Sequence, residues 1–320
     1  PALTAVRPAA LLFLSGTAAL VFQVLWIKQL SLVVGVEVSA IAGAVSAFFL
    51  GLALGGWLLG RKADHLRRPV RFYAKLEAAV ALSCVAVTWL LARSAAAFVA
   101  VEAHSSLAAW LAVGLLLAIP AFLMGGTLPV LLRAVSRQQG ADVSRSGGAM
   151  YAANTCGAIL GALLPAFFLI PRFGVQGAAL AAASLNVLAA LGAWMLDRRA
   201  GDSAAPAVSP QSAAAPLSGE ARLAVALYAV AGAVALGYEV IWSQMIVPFM
   251  STRAFAFAIV LATYLAGLAI GAALYARWAH RVRNPWPVFG FLIAGAGLLA
   301  VLEVAMLGKW LIVAQTQAEA

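Results

Sequence analysis

The chain has 320 residues, 64% of them hydrophobic and only 10% charged, with a net charge of +10 and a mean hydropathy of +0.99. A soluble globular domain carries about 25% charged residues, so a water-exposed fold around one core is excluded. The positive charge does not point to nucleic acid, because no soluble segment remains to present a basic face.

Nine apolar runs follow in chain order, at roughly 9–34, 38–60, 74–99, 107–132, 148–171, 174–196, 222–249, 253–276 and 287–308. Each reaches the ~20 residues that span a bilayer. Lipid offers the backbone no hydrogen-bond partner, so the spans are expected to be helices. A β-barrel would need shorter, alternating segments. The first run is too long and lacks a small-residue cleavage site, so it is expected to be a retained helix and not a signal peptide. The fold class is therefore all-α, a polytopic membrane helix bundle of about nine transmembrane helices.

Three regions are expected. Residues 1–196 form a six-helix bundle, and residues 197–221, rich in Ala, Pro and Ser, a cytoplasmic linker. Residues 222–320 carry three more helices, which repeat the first ones at an offset of 216 residues. Phe22-Gln23-Val24-Leu25-Trp26 returns as Tyr238-Glu239-Val240-Ile241-Trp242, and Gly51-Leu52-Ala53-Leu54-Gly55 as Gly267-Leu268-Ala269-Ile270-Gly271. Between positions 14 and 64 this register holds 14 identities in 51, and the Trp pair and three Gly pairs among them exceed what Ala-rich composition supplies. A unit was duplicated in the same orientation, as in parallel-repeat transporter folds. The second copy stops after three helices, so either the repeat is incomplete or the native chain continues.

Charge orients the bundle. Arg7, the loop from Arg61 to Lys75, Arg133, Arg137 and Arg145, the linker flanks and Arg277 to Arg283 place 16 of the 21 Lys and Arg residues on one side. The positive-inside rule makes that side, and the N-terminus, cytoplasmic. Anionic lipid headgroups are a secondary partner for the same charges. Cys84 and Cys156 both lie inside spans, so no structural disulfide is expected. His65, His104 and His280 fall in three different loops and cannot form one metal cluster, and no cofactor is expected.

The loop between spans two and three reads Gly60-Arg61-Lys62-Ala63-Asp64-His65-Leu66-Arg67-Arg68-Pro69. It resembles the major facilitator loop, with Gly60, Asp64, Arg67 and Arg68 as the matching positions. An Asp there can cap or pair across a helix end; the plainer reading is a solvated positive loop.

More segments point to one family. They are LSGTAALVFQVLWIKQL in span one, AFFLGLALGGWLLGRKAD in span two, Met124-Gly125-Gly126-Thr127-Leu128-Pro129, Tyr151-Ala152-Ala153-Asn154-Thr155-Cys156-Gly157, Leu169-Ile170-Pro171-Arg172-Phe173-Gly174 and Gly237-Tyr238-Glu239-Val240-Ile241-Trp242. Together they resemble the membrane region of the bacterial fused major-facilitator/spermidine-synthase-like proteins, over nearly the whole chain. The resemblance implies a bacterial inner-membrane protein with a major-facilitator-like parallel repeat. It also implies a cytoplasmic Rossmann-like, aminopropyltransferase-like domain, which would bind a decarboxylated S-adenosylmethionine-type nucleotide. This sequence holds no such domain and no Gly-rich loop between a strand and a helix. Gly55-Gly56, Gly125-Gly126 and Gly147-Gly148 are expected to serve close helix packing. The chain departs from the family at Phe22-Gln23, where the usual pair is Tyr-Glu; the second copy keeps Tyr238-Glu239.

Polar residues inside spans are the functional candidates, because a charge in the bilayer is costly. Glu239 leads, with Gln23 at its repeat-equivalent position, and Lys28, Gln244 and Asn154 complete the set. Gln23 and Glu239 are expected to face each other across a pseudo-two-fold interface, where Glu239 binds a proton or a cation such as a polyamine. The competing reading makes Glu239 structural glue, protonated or paired with Lys28 or another helix. Lys28 is expected to snorkel outward. Glu77 is expected to form a local ion pair at the surface near Arg71 and Lys75, and Asn186 an interhelical hydrogen bond. Trp26 and Trp242 are expected to pack on the duplicated partner helix, and Pro120 and Pro129 to kink span four.

Three functions remain open. The chain is the membrane module of a spermidine-synthase-like protein, anchoring or feeding a transferase domain; or a transporter of a small cationic or amphipathic solute; or an accessory subunit packed against other membrane proteins.

Overall fold

A computed structural model describes residues 6–34, 37–137, 143–200, 218–247, 253–278, 281–282 and 284–318, which contain helices and no strands. The helices are α1 (Val6–Val34), α2 (Glu37–His65), α3 (Pro69–Leu91), α4 (Ala95–Glu102), α5 (Ser106–Gly125) and α6 (Thr127–Ser136). After them come α7 (Val143–Leu164), a π-helical turn (Pro165–Leu169), α8 (Ile170–Ala200), α9 (Gly219–Met245), α10 (Arg253–Trp278) and α11 (Pro285–Ala318).

Among the described residues, eight segments are long and apolar enough to cross a bilayer. One of them, Ser146–Arg198, has 53 residues. At 1.5 Å per residue it would reach about 80 Å if straight, against a hydrocarbon core of about 30 Å. It therefore holds two crossings. The reversal lies after Pro165 opens the π-helical turn, at Gly174, whose φ of 65° and ψ of −177° break the helix. A side chain at positive φ is strained, which is why glycine stands there. The chain is a multi-pass helical membrane protein.

Two boundaries differ from the sequence expectation. Span three ends at Leu91 and not near 99; a turn through Arg93 and Ser94 leads into the short α4. Arg93 lies 3.8 Å from the Trp89 ring centroid, so the helix ends where a cation and an indole meet the interface. Span four is broken between α5 and α6 at Gly126, and Pro120 is accommodated inside α5. A Cβ at Gly126 would overlap the Leu59 side chain of α2, so the break is also a close approach. Starts follow local chemistry: Pro69 sits at the first turn of α3, and Ser105 caps α5 by accepting from Ala108 N at 3.2 Å.

The residues group into two compact units, 1–216 with 236–269, and 217–235 with 270–320. In the first, α1 packs chiefly on α7, α2 on α5 and α3 on α8, that is, span one on five, two on four and three on six. Exchanging spans one, two and three for four, five and six leaves that set of pairs unchanged. Two of the pairs are built on glycine pairs spaced by four. A Cβ at Gly157 or Gly161 of α7 would overlap backbone oxygens of Phe13 or Thr17 in α1. At Gly55 of α2 it would overlap the Phe122 carbonyl of α5, and at Gly51 it would lie 2.6 Å from Ala118 O. Lipid gives no hydrophobic drive between helices, so such close approach supplies the packing energy. Gly148 differs from this expectation, since among the described residues nothing lies within 4 Å of a Cβ built there.

The core of the first unit gathers Phe22, Trp26, Phe48 and Cys84 with Phe257 and Leu261 of α10. Trp26 stacks on Phe22, with centroids 5.8 Å apart, and donates from Nε1 to Thr88 Oγ1 at 3.1 Å. Its polar partner is thus on α3, while Trp242 is half-buried on α9. In the second unit, the α9 segment and α11 line an apolar groove of about 430 Å³ through Tyr228, Pro285, Trp286 and Phe289. The proposed linker falls mostly on residues 201–217, outside the described ones.

Candidate functional site

Glu239 lies in the half of α9 that joins the first unit and is 2% exposed. Its neighbours in sequence, Leu236 and Val240, pack against the same core that contains Phe22 and Val24, the residues flanking Gln23. Gln23 is 1% exposed. Both carboxylate oxygens of Glu239 and both polar side-chain atoms of Gln23 are buried without a hydrogen-bond partner. The two side chains are each buried, and neither is hydrogen-bonded to the other.

Among the described residues Glu239 makes no ion pair. Lys28 is half-buried, and Ser31 Oγ donates to its carbonyl at 2.8 Å. Gln244 stands at the position equivalent to Lys28, half-buried, with an unpartnered Nε2. The duplicated stretch thus presents an uncharged amide and an acid at one position pair, and an ammonium and an amide at the other.

Asn154 lines a cavity of about 210 Å³ inside the six-helix bundle, with Ser15, Gly16, Phe48, Thr127 and Leu128. The cavity exists because α1 and α7 touch at Gly16, where a Cβ would overlap the Asn154 carbonyl. Small and hydroxylated residues on the wall leave both room and hydrogen-bonding capacity.

Glu77 corrects an expectation. It is not a surface residue paired with Arg71 or Lys75 but 0% exposed, and Asn186 Nδ2 of α8 donates to its Oε2 at 2.8 Å. The hydroxyls of Ser15 and Tyr73 lie beside it. Arg71 turns instead to Asp197, with Nε 2.9 Å from Oδ2, and Arg68 Nη1 approaches the same oxygen at 3.9 Å. Helical geometry explains the difference. Arg71 and Glu77 stand six residues, about 9 Å, apart along α3, so each meets α8 at its own level, at Asp197 and at Asn186.

The motif between α2 and α3 is dispersed in space. Asp64 Oδ1 lies 3.2 Å from Arg133 Nε of α6. Arg137 donates to the carbonyls of Leu66, Ala63 and Asp64, the last at 2.8 Å. These carbonyls lie at and just past the end of α2, where a guanidinium is favoured by the helix dipole. Burial first, and the adjacent Arg133 second, hold the Arg137 pKa below the ordinary arginine value, against the pull of Asp64. Arg68 precedes Pro69 at the start of α3, Arg67 is exposed, and Gly60 approaches Pro129, with a built Cβ 3.4 Å from Pro129 Cβ. Arg133, Arg137 and Asp197 carry this end of the bundle. Sequence alone marks them only as charges near span ends.

Aromatic–cation pairs outline both membrane interfaces. Arg61 sits 4.6 Å from the Trp57 ring and Arg198 3.8 Å from Trp194, while Arg93 and Arg172 cover Trp89 and Phe168 at the opposite end. Both cysteines are free thiols, Cys84 buried and Cys156 exposed. Among the described residues no cluster of His, Cys, Asp and Glu could hold a metal ion. Compared with protein-family profiles, curated proteins and solved structures, the chain matches none.

Proposed function

We propose that this chain is the membrane module of a spermidine-synthase-like protein of the bacterial inner membrane, and that its bundle binds and passes a small organic cation at Glu239. The observation that carries the binding role is the Glu239 carboxylate, 2% exposed with neither oxygen partnered. An unpaired buried charge costs several kcal/mol, and structural glue requires a partner that the described residues do not supply. A cation with N–H donors would satisfy both oxygens. The cavity at Asn154, which Ser15 and Thr127 also line, argues against a purely accessory subunit, which needs only dry packing.

The major-facilitator-like architecture draws support from the one-on-five, two-on-four and three-on-six packing. That packing is symmetric between halves, as in a bundle made of two three-helix repeats. A cytoplasmic N-terminus follows from the charge count. The transferase link rests on the motif resemblance alone, and through it a polyamine is the expected cation.

Spermidine uptake into proteoliposomes tests the reading. Wild-type protein should give saturable uptake, and Glu239→Gln, which keeps the shape and removes the charge, should abolish it. Undiminished uptake by Glu239→Gln would remove Glu239 as the binding acid. An open reading frame encoding a Rossmann-like domain after residue 320 would separately support the transferase link.

A further inference from the structure

Glu77 is the second acid buried in the first unit, and its surroundings differ from those of Glu239. It lies eight residues into α3, about 12 Å along the helix from Pro69. Asn186, 1% exposed, occupies Oε2 through its amide N–H. That contact leaves Glu77 Oε1 and Asn186 Oδ1, both buried and both without a donor. Ser15 and Tyr73 set two hydroxyls beside the carboxylate, at 5% and 0% exposure. The Tyr73 hydroxyl also donates to the Leu11 carbonyl, 3.3 Å away.

The donor set is therefore oxygen only: a carboxylate, an amide carbonyl and two hydroxyls, brought together by α1, α3 and α8. Hard oxygen ligands suit hard cations. The charge decides which. One carboxylate balances one positive charge, whereas a divalent ion would leave a net charge in the bilayer interior. Calcium moreover takes six to eight oxygens and magnesium retains several waters, more than this cluster supplies. Among the described residues no Lys or Arg pairs with Glu77. Arg71, the cation expected there, is committed to Asp197 at 2.9 Å. Ser15 also lines the cavity shared with Asn154 and Thr127.

We propose that Glu77, Asn186, Ser15 and Tyr73 form a binding site for a sodium-class monovalent cation, separate from the organic-cation site at Glu239. The site stands on its own donors and does not depend on the transport reading.

The test uses the purified full chain in lipid nanodiscs. Binding of radioactive sodium is measured directly, and thermal stability is followed as sodium chloride replaces N-methyl-D-glucamine chloride at constant ionic strength. Saturable sodium binding is expected, with a matching rise in melting temperature that the organic chloride does not give. Glu77→Gln keeps an acceptor for the Asn186 amide and should weaken sodium binding about a hundredfold or more, as for removing one partner of a buried charge pair. Ser15→Ala should weaken it less, and removing the exposed charge by Glu303→Gln should leave it unchanged. Absence of saturable sodium binding by the wild type overturns the proposal. So does sodium binding that survives in Glu77→Gln, or stabilisation that follows pH and ignores sodium.

Discussion

Gly55 and Gly271 occupy the same position in the two repeats, yet their environments are opposite. A Cβ at Gly55 would overlap the Phe122 carbonyl of α5, whereas among the described residues nothing lies within 4 Å of a Cβ at Gly271. Replacing either by alanine makes the same intrinsic change in helix propensity, a gain of up to about 1 kcal/mol. That gain cancels in a comparison of the two variants and leaves the packing term. In Gly55→Ala the methyl group meets backbone, which cannot rotate aside, so α2 and α5 must separate along their length. Overpacking of this kind costs about 1–3 kcal/mol, and the loosened interface includes Gly51, where a Cβ would already lie 2.7 Å from Ala121 Cβ. Gly55→Ala should therefore be less stable than Gly271→Ala by about 1–3 kcal/mol, with Gly271→Ala at or above wild type. Reversible unfolding in mixed micelles, read by intrinsic tryptophan fluorescence, measures the difference. If the two variants agree within about 0.5 kcal/mol, the close approach at Gly55 does not contribute to stability and the argument fails.

At the α2 terminus, Arg137→Ala should cost about 1.5–3 kcal/mol, because it strips charged donors from the end carbonyls. Arg137→Lys should not restore it, since an ammonium lacks the planar fork. Asp64→Asn should change stability by less than about 1 kcal/mol, because the Asp64 side chain is 54% exposed; the same unfolding assay ranks the three. In the core, Trp26→Phe and Thr88→Val remove the two ends of one 3.1 Å hydrogen bond. A double-mutant cycle should return a coupling of about 0.6 kcal/mol, the usual size for interhelical bonds in membranes, and a coupling of zero would assign Trp26 to shape alone.

What could be read from the sequence depends on how local the governing energy is. Membrane insertion is a sum over neighbouring residues, each transferred separately from water, so length and hydropathy sufficed to mark the long apolar helices among the described residues, including the two joined between Ser146 and Arg198. The glycine pairs were legible as close packing because a missing side chain has few other uses in lipid, though Gly148 shows that not every one is used. Helix ends were less legible. The stop at Leu91 and the break at Gly126 depend on Arg93 meeting Trp89 and on α2 pressing against α5.

The polar interior was the least legible. A buried acid is defined by its partner, and partners are remote: Glu77 meets Asn186 109 positions away, and Arg71 meets Asp197 126 positions away. Sequence spacing favoured Arg71 as the partner of Glu77. Only the packing of α3 on α8 decided otherwise, sending the arginine to one level of that interface and the acid to another. The sequence by itself determined that this is a helical membrane protein in which residues 14–64 and 230–280 match at 14 of 51 positions, with an acid at Glu239. The tertiary structure decided that Glu239 and Gln23 are buried unpartnered, and that Glu77 belongs to the interior, because burial and pairing arise from contacts between helices that no local stretch encodes.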